Sequence, residues 1–137
     1  MSKYLGYADG ASSGNPGDAG IGIVIKEDGK EVLRVSKYIG VATNNAAEYM
    51  AIIKLLEMTD DLEIDEIEIF SDSELAVKQI NGEFKINDEK LKELNDKVHS
   101  FSKITKFTVT HVGREKNSDA DKLAKEGSKR GGKLHNV

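Results

Sequence analysis

The chain predicts an α/β protein: a mixed five-stranded sheet, three antiparallel strands first and two parallel ones after, with helices on both faces. Three observations carry this expectation. The first forty residues hold three apolar runs of strand length, two of them joined by a hairpin signal. After Asn45 the apolar spacing changes to that of a helix. From there strand-like and helix-like segments alternate, which requires crossover connections and hence parallel pairing. With 137 residues, no internal repeat and no linker-like stretch, one domain is expected.

In order, Tyr4 to Ala8, Ile21 to Lys26 and Glu31 to Ile39 read as strands. The last two are joined through Asp28-Gly29, a dipeptide that suits a two-residue hairpin turn. Between the first two lies "DGASSGNPGDAG", which holds the only proline and reads as a loose loop. From Asn45 to Met58, Tyr49, Met50, Ile52, Ile53, Leu55 and Leu56 recur at helical spacing. "IEIF" is a short strand with Ile67 and Ile69 on one face. Ser71 to Ile80 is expected to be helical, as is Asn87 to Phe101, where Leu91, Leu94, Val98 and Phe101 form one stripe. "KFTVTHV" is the last strand, and Asn117 to about Lys129 the last helix. Residues 129–137, rich in glycine and lysine, are expected to form a flexible basic tail.

Composition narrows the chemistry. Apolar and charged fractions of 38% and 32% fit a folded soluble chain. No apolar run reaches the roughly 18 residues of a membrane span. The N-terminus lacks the apolar core of a secretion signal, so a cytoplasmic location is expected. Cysteine is absent, so any metal must be held by oxygen or histidine. The net charge of −4 hides an asymmetry: residues 103–137 carry nine Lys/Arg against four Asp/Glu. A basic C-terminal quarter can face a polyanion while an acidic patch elsewhere holds a cation. A solvated basic helix is the plainer reading of the same charges.

Four acids stand out by position. Asp9 ends the first strand, Glu48 opens the first helix on the face of Ile52 and Leu55, Asp72 follows "IEIFS", and Asp121 lies in the first turn of the last helix. Taken singly, each has a structural explanation: Asn45-x-x-Glu48, Ser71-x-x-Glu74 and Ser118-x-x-Asp121 resemble capping boxes, acids in a first helical turn suit the helix dipole, and Asp9 can serve a turn. Taken together, strand ends and helix starts can meet at one end of the sheet, where open α/β folds place their sites. Two carboxylates about 4 Å apart repel by roughly 4 kcal/mol at an effective dielectric of 20. Four together require cations, and hard Mg²⁺ or Mn²⁺ ions suit an all-oxygen set and phosphoryl transfer.

At these residues the chain resembles the type 1 ribonuclease H family. "YADGASSGNPGDAGIGIVI", "TNNAAEYMAIIKLLE", "IFSDSELAVKQING" and "HVGREKNSDADKLAKEG" match its motifs in the family order, over roughly residues 3 to 128. The resemblance implies one ribonuclease H domain over 1–128 and cleavage of the RNA strand of RNA/DNA hybrids, leaving 5′-phosphate and 3′-hydroxyl ends. It implies two Mg²⁺ ions, with Mn²⁺ as the alternative: Asp9 bridging both, Glu48 and Asp72 at the first, Asp121 at the second. His111 matches a loop histidine that assists proton movement or product departure. Asn15, Asn44 and Asn45 match minor-groove contacts, Ser12 and Ser73 fall at substrate-facing positions, and Thr43 matches a contact to a phosphate of the DNA strand. A monomer is expected.

The chain departs from the family in two places. Many bacterial members insert a basic, tryptophan-bearing helix and loop where this chain has "NGEFKINDEKLKELNDKVHSF", with four Lys against five Asp/Glu and no tryptophan. Glu74 stands where familiar members carry a glutamine, and a carboxylate accepts but cannot donate. Modest, salt-dependent hybrid affinity resting on Arg114 and the C-terminal basic residues is therefore expected. Two alternatives remain beside hybrid cleavage: a silent nucleic-acid-binding module of the same fold, and relaxed specificity that includes double-stranded RNA. A nucleotide-binding loop is disfavoured, because G-x-x-x-x-G-K-[ST] is absent.

Overall fold

Three strands, β1 (Tyr4–Ser12), β2 (Gly17–Glu27) and β3 (Lys30–Ala42), form an antiparallel meander. The structure, a computed structural model, describes residues 1–135, and side chains as far as residue 131. The β2–β3 turn is made by Asp28 and Gly29, with φ of 50° and 85°, the positive angles that a tight hairpin of matching twist needs. Helix α1 (Asn44–Asp61) then leads to β4 (Glu66–Ser71), which pairs parallel to β1. Helices α2 (Glu74–Ile80) and α3 (Glu89–Ser100) lead to β5 (Lys106–His111), parallel to β4. Helix α4 (Ser118–His135) closes the chain. The sheet order is β3-β2-β1-β4-β5, the expected mixed five-stranded sheet.

Helices cover both faces of the meander. Gly10 and Ile21, opposite one another in the β1–β2 ladder, face α1; Gly22, the next residue, faces α4. The core lies between the sheet, α1 and α3, around Ile23, Ile25, Ile52, Leu55, Ile67 and Ile69. One polar chain runs through it: the Tyr49 hydroxyl donates to Gln79 Oε1 at 2.8 Å and accepts from Asn95 Nδ2 at 3.3 Å, joining α1, α2 and α3. Satisfied in this way, buried polar groups fix the relative position of three helices rather than weakening the core.

Five boundaries differ from the sequence expectation. β1 runs on to Ser12 and β2 starts at Gly17, so Asp9 lies within a strand and the loose loop shrinks to a short turn. The glycines there serve close approach: a Cβ on Gly10 would meet the Ala47 backbone at 2.2 Å, and one on Gly22 the Ala120 carbonyl at 2.1 Å. The cap of α1 is Thr43, which accepts from the Ala46 N–H, and that of α2 is Ser73, which accepts from the Ala76 N–H; neither is the residue that the capping-box spacing suggested. α4 continues past Lys129 to His135, because Gly127 and Gly131 let it lie against the Lys37 carbonyl and the Tyr38 ring. Of the expected flexible tail, residues 136–137 lie outside the described residues.

Candidate active site

The β1–β4 ladder ends at Tyr7↔Phe70, and beyond that pair the chain opens a cleft of about 550 Å³. This is the point where β1 has an antiparallel neighbour on one side and a parallel one on the other, the switch point at which open sheets leave room for a ligand. Asp9 from β1, Glu48 from the first turns of α1, and Asp72 from the segment after β4 each offer a carboxylate oxygen, and these lie within 4.8 Å of one another. Asp121, on the first turn of α4, lines the same cleft.

Burial and mutual repulsion shape these groups. Asp9 is 4% exposed and Glu48 7%. Desolvation first, then the hydrogen bond and charge of Glu48, push the Asp9 carboxyl up to about 11. Desolvation raises Glu48 to about 7, against the hydrogen bonds from Asp9 and from the Gly10 N–H, which donates to Glu48 Oε1 at 2.5 Å. Asp121 goes the other way: burial raises it, but the Lys125 ammonium at 3.0 Å, a hydrogen bond with Asp9 and the charge of Arg114 together leave it below its ordinary value. A set of hard oxygen donors that the fold keeps partly protonated is suited to a divalent cation, which takes the place of the protons.

The remaining sequence-derived candidates form a rim. Ser12, Asn44 and Ser73 line the cleft. Asn15 Oδ1 accepts from the Asn44 N–H at 3.2 Å and so ties the β1–β2 turn to the start of α1. Ser12 Oγ donates to the Ala42 carbonyl at 2.8 Å, Thr43 caps α1, and Asn45 is exposed beside it. His111 is the exposed last residue of β5, opposite Ser71 in the ladder, and is not among the residues lining the cleft. Two side chains on the cleft wall add positive charge, Arg114 and Lys125, and Glu74 joins them with Lys78 at 3.5 Å. Sequence reading missed Asn117, 1% exposed, whose Nδ2 donates to the Ala8 carbonyl at 2.9 Å and to Asp72 Oδ1 at 3.3 Å. Inside the polar run "REKNSDAD" an amide leaves no periodic mark, so no signal pointed to it.

A family profile described as reverse transcriptase-like matches residues 7–127. A protein named Ribonuclease H from Acetivibrio thermocellus is 33% identical over 149 aligned positions, covering 97% of this chain and 99% of that one. The chain belongs to the ribonuclease H family. Ribonuclease HI of Halobacterium salinarum is 43% identical over 124 residues, covering 88% of this chain. This ribonuclease H-family chain spans 61% of that relative's length and 35% of the mycobacterial relatives that follow it. The crystal structure of LC11-RNase H1 in complex with RNA/DNA hybrid superposes with a TM-score of 0.87 at 40% identity, covering 94% of this chain and 99% of that one.

Proposed function

We propose that this protein is a metal-dependent endonuclease that hydrolyses the RNA strand of RNA/DNA hybrids. The observation that carries the reading is the convergence of Asp9, Glu48 and Asp72 oxygens within 4.8 Å at the switch point of the sheet. A relative bound to RNA/DNA hybrid, at 40% identity over nearly the whole fold, supports the substrate. The donor set fits Mg²⁺, with Mn²⁺ as the alternative: oxygen only, acidic, and compressed enough to need positive charge between its members.

In this reading Asp9, Glu48, Asp72 and Asp121 would hold two ions. Bound there, the ions would supply an activated water at neutral pH and charge stabilisation for a leaving 3′-oxygen, which would give 5′-phosphate and 3′-hydroxyl ends. The chain's own groups do the rest. Arg114 and Lys125 on the cleft wall bring positive charge to the phosphates of a bound strand. Asn15, Asn44 and Asn45, with Ser12 and Ser73, present amides and hydroxyls able both to donate to and accept from a 2′-hydroxyl, the group that marks RNA. The N-terminus of α1 behind Thr43 offers free N–H groups to a phosphate of the DNA strand. His111 is assigned to proton movement or product departure from the end of β5. All four carboxylates come from one chain, so the site needs no second copy to be complete, and a monomer acting in the cytoplasm is the proposed state.

The test is direct: incubate the protein with RNA/DNA hybrid, double-stranded RNA and duplex DNA, each with Mg²⁺, Mn²⁺ or chelator. Cleavage of the hybrid alone, and only with metal, is the expected result. Cleavage of double-stranded RNA as well would trace to relaxed reading at Glu74, and no metal-dependent cleavage of hybrid would remove the proposal. Asp72→Asn is expected to abolish cleavage while leaving the circular dichroism spectrum and melting temperature near wild type.

A further inference from the structure

Asn117 ends the 3₁₀ turn Arg114–Asn117 and immediately precedes α4, so its side chain enters the molecule next to the cleft rather than from a regular element. An amide nitrogen carries two hydrogens, and here both are used. One goes to the carbonyl of Ala8, the first β1 residue beyond the end of the β1–β4 ladder and the neighbour of Asp9. The other goes to the Asp72 carboxylate. The amide orientation follows from its partners, since a flipped group would set its oxygen against two acceptors. The remaining atom, Asn117 Oδ1, is buried with no donor to it among the described residues. An apolar residue of the same shape would remove that acceptor but would leave the Ala8 carbonyl and the Asp72 carboxylate without their donor. What the amide does for fold and site is done through its two N–H groups.

We infer that Asn117 is a positioning residue for the metal site: one side chain splints β1 at Asp9 to the Asp72 carboxylate where the strands part, and anchors both to the start of α4. Without it Asp72 rotates freely and the ladder's open end has no cross-tie between two ligand-bearing elements. This rests on the reading of the carboxylates as metal ligands, and it adds a residue that touches neither metal nor substrate. Partners that orient a ligating carboxylate change metal affinity by about 10–100-fold when removed.

The experiment is a Mn²⁺ titration of the substrate-free protein by calorimetry and electron paramagnetic resonance, with the melting temperature measured on each sample. Asn117→Leu keeps the branched shape and the number of heavy atoms and deletes both donors. It is expected to bind Mn²⁺ at least tenfold more weakly while keeping the wild-type circular dichroism spectrum, with a lowered melting temperature. Asn117→Ala is expected to lose the same affinity at a lower melting temperature. In an Asp72→Asn background, Asn117→Leu is expected to cause a clearly smaller loss, because the tie to β1 beside Asp9 is all that remains for it to break. With hybrid as substrate, KM should hold while the metal concentration for half-maximal rate rises. Mn²⁺ affinity within twofold of wild type, or an equal loss in the Asp72→Asn background, would overturn the inference. If the variants do not fold, the wild-type protein decides by NMR, where the Asn117 side-chain amide resonances should shift on Mg²⁺ addition; unmoved resonances overturn it. A wild type that binds no Mn²⁺ would instead overturn the metal-site reading itself, and this inference with it.

Discussion

Asp9 and Glu48 are carboxylates whose charge the fold resists. Asp9 is raised from 3.8 to about 11 and Glu48 from 4.5 to about 7, both chiefly by burial. A carboxyl raised on folding binds its proton more tightly in the native state than in the unfolded chain. Between the unfolded and folded values the native state therefore holds more protons, and stability falls as pH rises. Metal-free protein is expected to melt at progressively lower temperature from pH 5 to pH 8, as Glu48 passes through its titration and Asp9 remains costly. Asp121, lowered by Lys125 despite its partial burial, acts in the opposite sense, but only at the acid end near and below 3.8. Asp9→Asn isolates the effect: at pH 8, with chelator, it should raise the melting temperature by a few degrees, because a neutral amide replaces a carboxyl that pays for burial. Mn²⁺ should stabilise wild type more at pH 8 than at pH 5, since it displaces protons already leaving. Scanning calorimetry at the two pH values checks both, and a metal-free melting temperature unchanged by Asp9→Asn would remove the argument.

At the scale of elements, the site depends on how closely two backbones approach. A Cβ on Gly10 would lie 2.2 Å from the Ala47 carbonyl carbon and 2.5 Å from the Glu48 nitrogen, both backbone atoms that cannot rotate away. Gly10→Ala is thus expected to push β1 from α1, at a stability cost of about 1–3 kcal/mol. It would also stretch the Gly10 N–H bond that orients Glu48, so activity should fall further than the stability loss alone explains. Gly6→Ala is the control. Its Cβ meets the Leu55 methyls at 2.8 and 2.9 Å, the far ends of a flexible side chain, so a smaller stability loss with retained activity is expected. Denaturant unfolding beside steady-state rates separates the two. This contact also explains what sequence could and could not disclose. Alternation in β4, helical spacing in α1 and α3 and the Asp28-Gly29 turn are local signals, and they placed those elements. The glycines of the first hairpin and of α4 resemble loop and tail residues because their purpose, backbone contact across the sheet, exists only in three dimensions. Glu48, Asp72 and Asp121 were legible as positions beside element ends, and Asp9 as an acid after an apolar run although it lies within β1, whereas Asn117 acts through 109 residues of separation from Ala8 and could not be.

Across the whole molecule, charge is arranged in opposition: an acidic body, an acidic cleft floor, and a basic last helix whose Lys125 reaches the cleft. The connection over residues 81–88 between α2 and α3 carries no basic extension, so electrostatic grip on a hybrid has to come from elsewhere. Arg114, Lys122 and Lys129 are exposed and available to phosphates, and Lys125, also exposed, is paired with Asp121 at 3.0 Å. Arg130 differs, because its Nη1 donates to the Ser36 carbonyl at 2.7 Å and to Ser36 Oγ at 3.0 Å, which pins α4 to β3. The two groups should separate by experiment. Each phosphate contact contributes about 0.9 to the slope of log affinity against log salt on duplex DNA. In an Asp72→Asn background that blocks cleavage, changing Lys122, Lys125 and Lys129 to Ala should lower that slope by about two to three and weaken hybrid binding at low salt. Arg130→Ala should leave the slope in place and lower the melting temperature instead. Fluorescence anisotropy between 50 and 200 mM salt reads the first, calorimetry the second. An unchanged slope in the triple variant would move the grip to the asparagine rim and the α1 N-terminus, whose neutral contacts release few counterions.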